Sequence, residues 1–229
     1  MMTITAIALA VAGACPAQPA APLLQTGTFT YVDSDHGKTI GRDRIVIAAQ
    51  PGGRYRFANT AIGYADQAWA AETRADFTPL SAVLEFGPEG DRRPIFDIRY
   101  ARGRVTGLRY PRRLAGAAPI VVGDPVGPCV IDQRIDWASV MARPLEDGAR
   151  FAFQVYDPAI GISAASAVVE DGGTIHVPAG AFAVFKITYR IEKKTGSEQY
   201  VVFASKALPR VMVREDFPDG VSSQLEAKR

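Results

Sequence analysis

"HVPAGAFAVFKITYRI", residues 176 to 191, is the stretch whose reading decides the fold. From Ala183 onward, Phe185, Ile187, Tyr189 and Ile191 recur at every second residue, with Val184, Lys186, Thr188 and Arg190 between them. A period of two predicts a long strand with one buried face and one largely wet face. Immediately upstream, Pro178, Ala179 and Gly180 read as a three-residue hairpin connection after a strand that ends at Val177. Proline presets φ at the first turn position and glycine accepts the left-handed conformation. On this reading His176 stands at a strand end beside a turn, and every residue of the corner is explained without chemistry.

The same pattern spreads outward. "TFTYV" (28 to 32), "RYRF" (54 to 57), "SAVLEF" (81 to 86), "IFDIRY" (95 to 100), "FAFQVY" (151 to 156), "TIHV" (174 to 177) and "YVVFAS" (200 to 205) are strand-like. Turn signals such as Pro51-Gly52-Gly53, Asp171-Gly172-Gly173 and Pro218-Asp219-Gly220 separate them. Many short strands at this spacing predict an all-β, antiparallel architecture. One segment departs from it: "DWASVMARP" (136 to 144) has Asp136 to cap a helix and Pro144 to stop it. A two-turn helix there would lay Trp137, Val140 and Met141 over one end of the sheet.

The chain has 229 residues, 48% of them hydrophobic and 22% charged, with a net charge of +2. That composition fits neither intrinsic disorder nor a multi-span membrane protein, and the total charge alone is too small to argue for nucleic acid or a membrane surface. The apolar, uncharged run from Thr3 to Ala14 is too short to cross a bilayer but suits the core of a signal peptide. Ala12-Gly13-Ala14 supplies small residues for cleavage, and together with Cys15 they form a loose lipobox, although no Lys or Arg precedes the run. The division expected is a signal peptide over 1–14, an Ala/Pro tether over 15–27 and a single β domain over 28–229. The expected location is the periplasm, or the envelope by lipidation of Cys15. With Cys15 acylated or removed, Cys129 would be a lone thiol. No C-x-x-C or H-E-x-x-H spacing joins the two cysteines and two histidines, so no metal or other cofactor is expected.

Two stretches imitate catalytic motifs. "GISAA" (161 to 165) is half of a nucleophile elbow around Ser163, but the elbow needs a strand-to-helix turn and a histidine, which only His36 or His176 could supply. "HGKTIG" (36 to 41) ends like a phosphate-binding loop but lacks its first glycine and the helix after it, and reads as a turn between the first two strands. No catalytic residue is therefore assigned, and a hydrolase is the weakest of the functional classes. The arginines are more informative. Residues 92–113 hold Arg92, Arg93, Arg99, Arg102, Arg104, Arg109, Arg112 and Arg113 against one acid, Asp97. Arg99, Arg102, Arg104 and Arg109, on a predicted hairpin with Tyr100 and Tyr110, are candidates to receive an anionic head group bidentately. A solvated basic face balanced by acids elsewhere is the alternative.

Taken together, "VPAGAFAVFKITYRI", "YVVFASKALPRVMVRED" (200 to 216) and "GVSSQLE" (220 to 226) resemble the C-terminal half of an uncharacterised family of exported bacterial β-proteins, the domain-of-unknown-function 3108 family. Upstream, "GKTIGRDRIVI" (37 to 47), "FTPLSAVLEF" (77 to 86) and "DWASVMARPLEDGARFAFQVYD" (136 to 157) follow in that family's order. The resemblance implies a strongly curved antiparallel sheet or partly open β-barrel with one short helix, and it carries over no functional residues. The reading that follows is a non-enzymatic envelope protein whose curved sheet takes a lipid-like or other hydrophobic ligand. A structural protein that acts through contact with another envelope protein is the alternative. Nucleic acid is not an expected partner.

Overall fold

A computed structural model of the protein describes residues 18–63, 66–111 and 117–229. The described chain forms one sheet of fifteen strands. The first eight are β1 (Gly27–Asp35), β2 (Lys38–Gln50), β3 (Arg54–Ile62), β4 (Gln67–Arg74), β5 (Pro79–Phe86), β6 (Arg93–Ala101), β7 (Arg104–Arg109) and β8 (Ile120–Val122). After β9 (Val130–Asp132) come a 3₁₀ turn (Gln133–Ile135) and the helix α1 (Asp136–Met141). The chain then runs through β10 (Arg150–Asp157), β11 (Gly161–Val177), β12 (Gly180–Lys193), β13 (Gly196–Ser205), β14 (Met212–Asp216) and β15 (Val221–Lys228).

Spatial order is β8 to β1 in descending sequence, then β15 down to β9, so β1 and β15 pair at the centre and β8 and β9 are the edges. All neighbours are antiparallel except β9 and β10. The sheet curls until β9 packs against β5, yet β8 and β9 do not pair, so the curl stays open, as a partly open barrel.

The inner face follows the alternation. Phe29 and Tyr31 on β1, Ile45 and Ile47 on β2, and Ile187, Tyr189 and Ile191 on β12 are buried. The corner differs from expectation in two ways. Val177 pairs with Gly180, so Pro178 and Ala179 alone make the turn, and Gly180 already belongs to β12. Alternation then breaks near the start of β12, where Val184 is buried and Ala183 is exposed. The cause lies across the ladder: Gly172 and Gly173 form a bulge opposite Val184. A Cβ on Gly172 would come within 2.8 Å of the Val184 side chain, so the glycine makes room for it.

The helix is not a lid on one end. All six residues of α1 are buried and Arg210 donates to the Met141 and Arg143 carbonyls below it, so it runs down the inside of the curl. Trp137, Ala138, Val140 and Met141 leave no polar face, and Ser139 returns its hydroxyl to the Asp136 carbonyl at 2.8 Å. Asp136 is the first helical residue and not its cap; Asp132 instead caps the preceding 3₁₀ turn through the Arg134 N–H.

Residues 20–27 are part of the domain and not a free tether. Ala20 and Ala21 donate to the carbonyls of Ala142 and Ala75 at 2.9 and 2.7 Å, and Ala21 and Leu24 are buried. Small side chains let this segment enter the lower end of the curl. The signal-peptide residues 1–14 and Cys15 lie outside the described residues. Cys129 is disulfide-bonded and is therefore not the lone thiol expected; the sequence contains one other cysteine, Cys15. Among the described residues no helix is long and apolar enough to cross a membrane.

Candidate functional site

Above the helix, between its N-terminal end and the sheet, lies a chamber of about 280 Å³. One wall is Asp43 and Ile45 of β2, Asn59 of β3, Gln67 and Trp69 of β4 and Leu84 of β5. The other is Tyr189 of β12, Tyr200 of β13, Met212 and Glu215 of β14, Phe217 and Ser223. Gln133, Arg134, Asp136 and Trp137 project from the helix side.

The chamber is acidic because register brings inward-facing acids together. Glu215 pairs with Ser223, and Ser223 pairs with Asp33, so β14, β15 and β1 contribute one polar row. Ser223 donates to Asp33 Oδ1. Asp43 lies opposite Tyr31 on the neighbouring strand. The Tyr189 hydroxyl sits 3.4 Å from Asp136 Oδ1 and 3.3 Å from Glu215 Oε1, between two carboxyls that face each other across the chamber. Stacking on Tyr200, at 4.9 Å between ring centres, fixes the Tyr189 ring.

Burial sets the protonation. It pushes Asp43 up to about 7, with the charge of Asp33 adding to the effect and Asn59 opposing it. Asp136 also rises to about 7 through burial, against the pull of the Trp137 N–H and Arg134. Glu215 is raised well above the ordinary carboxylate range by burial and by the proximity of Asp136. Burial likewise pushes the Tyr31 and Tyr189 hydroxyls up, so both stay neutral.

A second network sits where the two ends of the curl meet. Tyr100 on β6 donates to Asp132 on β9 at 2.6 Å, and Arg134 donates to Asp132 and to Asp157 at the end of β10, each at 2.6 Å. Arg134 also covers the Phe96 ring at 4.7 Å, and Tyr156 donates to Asp124 at 2.6 Å. Burial opposes the Arg134 charge, but Asp132 and Asp157 more than offset it. This network replaces the ladder that β8 and β9 do not form. Arg134 therefore has its partners within the fold.

The unsatisfied groups of the chamber are acceptors. Asp43 Oδ1 and Asn59 Oδ1 are buried without a hydrogen-bond partner, and so, outside the chamber lining, is Asp33 Oδ2 on the neighbouring strand β1. Such oxygens, together with Trp69, Trp137 and Tyr200, suit a small ligand that donates hydrogen bonds or carries positive charge and has apolar flanks. Among the described residues no group of three or more His, Cys, Asp or Glu is placed to hold a metal ion.

Of the sequence-predicted arginines, Arg99, Arg102 and Arg104 gather on the outer face and turn of the β6–β7 hairpin, and Arg109 lies apart on the inner face. Arg99 is exposed on the outer face of β6, opposite in sense to the buried Ile98 and Tyr100. Arg102 and Arg104 flank the β6–β7 turn and line a separate groove of about 200 Å³ with Arg74. Arg109 pairs with Phe96 near the other end of β7 and is half-buried. Arg112 and Arg113 lie outside the described residues. The catalytic imitations do not assemble. His36 is exposed on the β1–β2 turn beside Asp35, at 2.5 Å, and His176 is exposed near the end of β11. Ser163 is buried on β11, roughly 40 Å of strand from His176 at about 3.3 Å per residue, and five strands from β1.

Chamber residues were missed because they lie far apart in sequence. A signal was nonetheless present: Asp33, Asp43 and Glu215 stand at inward positions of their strands, in phase with Tyr31, Ile45 and Val213. A charge at inward phase is costly unless it is used.

An open sheet rolled around its own helix places the protein among β-barrel-like folds. The chain belongs to the DUF3108 family, described as proteins of unknown function, whose model matches residues 29–226. No curated protein sequence matches it. Among solved structures it is similar to a β-barrel-like protein of the DUF1849 domain of unknown function from Brucella abortus. The TM-score is 0.58 at 12% identity, over 88% of this chain and 96% of that one. A Bacteroides fragilis protein with a YmcC-like fold matches at 14% identity and a TM-score of 0.41, over 93% and 99% of the two chains. The hypothetical lipoprotein YmcC from Escherichia coli matches at 10% and 0.34, over 90% and 86%.

Proposed function

We propose that the protein is a non-enzymatic, exported envelope protein that binds a small ligand in the chamber above α1. The ligand presents a hydrogen-bond donor or a cationic group to Asp43, Asp136 and Glu215, and an apolar portion to Trp69, Trp137 and Tyr200. The observation that carries this reading is the pair of unpartnered acceptors, Asp43 Oδ1 and Asn59 Oδ1, in the wall of the chamber. At about 280 Å³ the chamber is at the small end of ligand sites, so it suits a compact molecule better than a full-length acyl chain. This narrows the lipid-like ligand expected from the sequence to one with a small, donor-bearing head. Native mass spectrometry of the exported protein, followed by thermal shift with spermidine, choline, glucose and a fatty acid, tests it. Stabilisation by an amine or a polyol, lost in Asp43→Asn and Glu215→Gln, is expected. A shift only with the fatty acid, or with none of the four, would sink the reading.

A protein-contact role is supported by a different observation. The edge strand β8 leaves Val121 78% exposed and Ile120 43% exposed, so its unpaired side can accept a strand from an envelope partner. Crosslinking from position 121 in cells separates the two readings: a single captured envelope protein, lost when Ile120→Lys is added, favours contact.

A further inference from the structure

The lower end of the curl carries three neighbouring hairpin turns: β2–β3, β4–β5 and β6–β7. Arg54, Arg74, Arg102 and Arg104 stand on or beside them, and all four are exposed. Two open grooves connect them, one lined by Arg54 and Arg74 and the other by Arg74, Arg102 and Arg104. Hairpins repeat every two strands, about 10 Å apart, so the four guanidiniums span roughly 20 Å of rim.

None of these four guanidiniums has a carboxylate within ion-pair distance among the described residues, whereas Arg42, Lys186, Arg190, Lys193, Lys206 and Arg214 are each paired with one. Arg54 and Arg104 meet only backbone carbonyls, of Pro51 and Gly123. The acid lining the grooves is Asp76, which accepts the Thr78 N–H. At the opposite end the turns are mixed in charge, with Asp66, Glu89, Asp91 and Asp219 exposed alongside Lys38, Arg93 and Lys194.

The chain enters the fold at this same basic end. Gln18 and Pro19 line a narrow cleft with Thr78 and Pro128, and Thr78 and Pro128 also line the groove of Arg102 and Arg104. Ala21 is hydrogen-bonded to the β4–β5 turn itself. Cys15 precedes Gln18 by three residues and Ala14 by four. At no more than about 3.6 Å per residue, neither can lie farther than roughly 11 to 14 Å from Gln18. Whatever tethers the apolar run 3–14 to a bilayer therefore holds the arginine rim against it.

We propose that the rim formed by Arg54, Arg74, Arg102 and Arg104 docks on an anionic phospholipid surface, with the opposite end pointing away. Each guanidinium meets a lipid phosphate, and against the four arginines the turns between them set a single exposed acid, Asp76, which is engaged with the Thr78 N–H. This inference stands apart from the chamber and does not depend on what fills it.

Vesicle flotation of the full chain tests it, using phosphatidylcholine alone and phosphatidylcholine with one quarter phosphatidylglycerol. Preference for the anionic vesicles is expected, falling with salt, and dropping on the order of 100-fold in Arg74→Gln/Arg102→Gln/Arg104→Gln, at roughly five-fold for each arginine. The control Lys38→Gln/Arg93→Gln/Lys194→Gln removes the same charge from the other end and leaves binding unchanged. Circular dichroism melts confirm that both variants fold; if the first does not, Arg54→Gln/Arg74→Gln replaces it, with about a 25-fold drop expected. Equal binding to both vesicle types, equal losses in rim and control variants, or competition by an acidic polypeptide as strong as by anionic vesicles would overturn the proposal.

Discussion

Replacing Asp136 by asparagine should stabilise the protein at alkaline pH and do little in acid. In the unfolded chain this carboxyl titrates near its ordinary value of 3.8, and in the fold burial raises it to about 7. Below the lower value both states hold the proton and the group is neutral to stability. As pH rises the unfolded chain releases its proton first, so the native state loses stability progressively until the pH passes the folded value. The full difference is about three units, or roughly 4 kcal/mol by pH 8, falling to about 0.5 kcal/mol at pH 4. That is a ceiling, because Glu215 and Asp43 also contend for charge in the same chamber, and about 2 kcal/mol is a realistic expectation. For a domain of this length that means a rise in Tm of about 4 to 8 °C at pH 8. The substitution keeps Oδ1, which accepts the Trp137 N–H at 2.6 Å, so the helix start is not sacrificed. Thermal and urea melts of wild type and Asp136→Asn at pH 4 and pH 8 provide the measurement. Destabilisation at pH 8, or a gain of the same size at both pH values, would refute the account of the chamber as a store of suppressed charge.

Three further outcomes follow from the geometry. Asp132→Ala leaves the Arg134 guanidinium buried with one carboxylate fewer and the Tyr100 hydroxyl without an acceptor; it should lower stability by about 3 to 5 kcal/mol in urea, while Tyr100→Phe costs only about 1. Gly107→Ala would drive a Cβ to 2.1 Å from the Asp97 carbonyl oxygen at a φ of +147°, so it should cost roughly 3 kcal/mol or more and be recovered largely as insoluble protein. Cys129 should resist alkylation until the protein is reduced, and reduction should cost about 2 to 5 kcal/mol by thermal melt. Intact mass of the same preparation decides the state of Cys15, because a thioether-linked lipid would occupy the sulfur that a disulfide needs.

Much of the fold is legible in the chain because one rule, the period of two, operates locally. The inward set of β12 follows it from Ile187 to Ile191. It fails at Val184 because the cause sits on another strand, in the Gly172–Gly173 bulge, where the sequence offers only a turn-like Asp-Gly-Gly. The helix was legible as a helix, since Asp136 through Met141 has the right residues and stop. Its enclosure was not: that depends on fifteen strands curling around it, which no local pattern states. The arginine cluster shows the opposite error. Nearness in sequence suggests one site, but alternation along β7 turns Arg109 inward, opposite Phe96, while Arg99 and Arg104 stay on the outer face. The chamber residues come from nine strands, the 3₁₀ turn and the helix, and only their phase betrayed them.

The two ends of the molecule impose different demands, and the strand directions reconcile them. α1 fills the middle of the curl, so the interior is divided into an upper chamber and a lower, packed plug made of Ala21, Leu24, Phe57 and Phe77. The chamber residues Gln67, Asp157 and Phe217 stand at the upper ends of their strands, next to the upper turns. The entry of the chain and the arginine rim are at the lower ends. A protein held to the membrane by its rim would therefore offer its chamber to the aqueous side, away from the leaflet. A ligand drawn straight out of the bilayer would have to pass Phe57, Phe77 and the buried helix. A compact, water-borne donor would meet the acids first, and by ionising them it would recover part of the stability that their burial withholds.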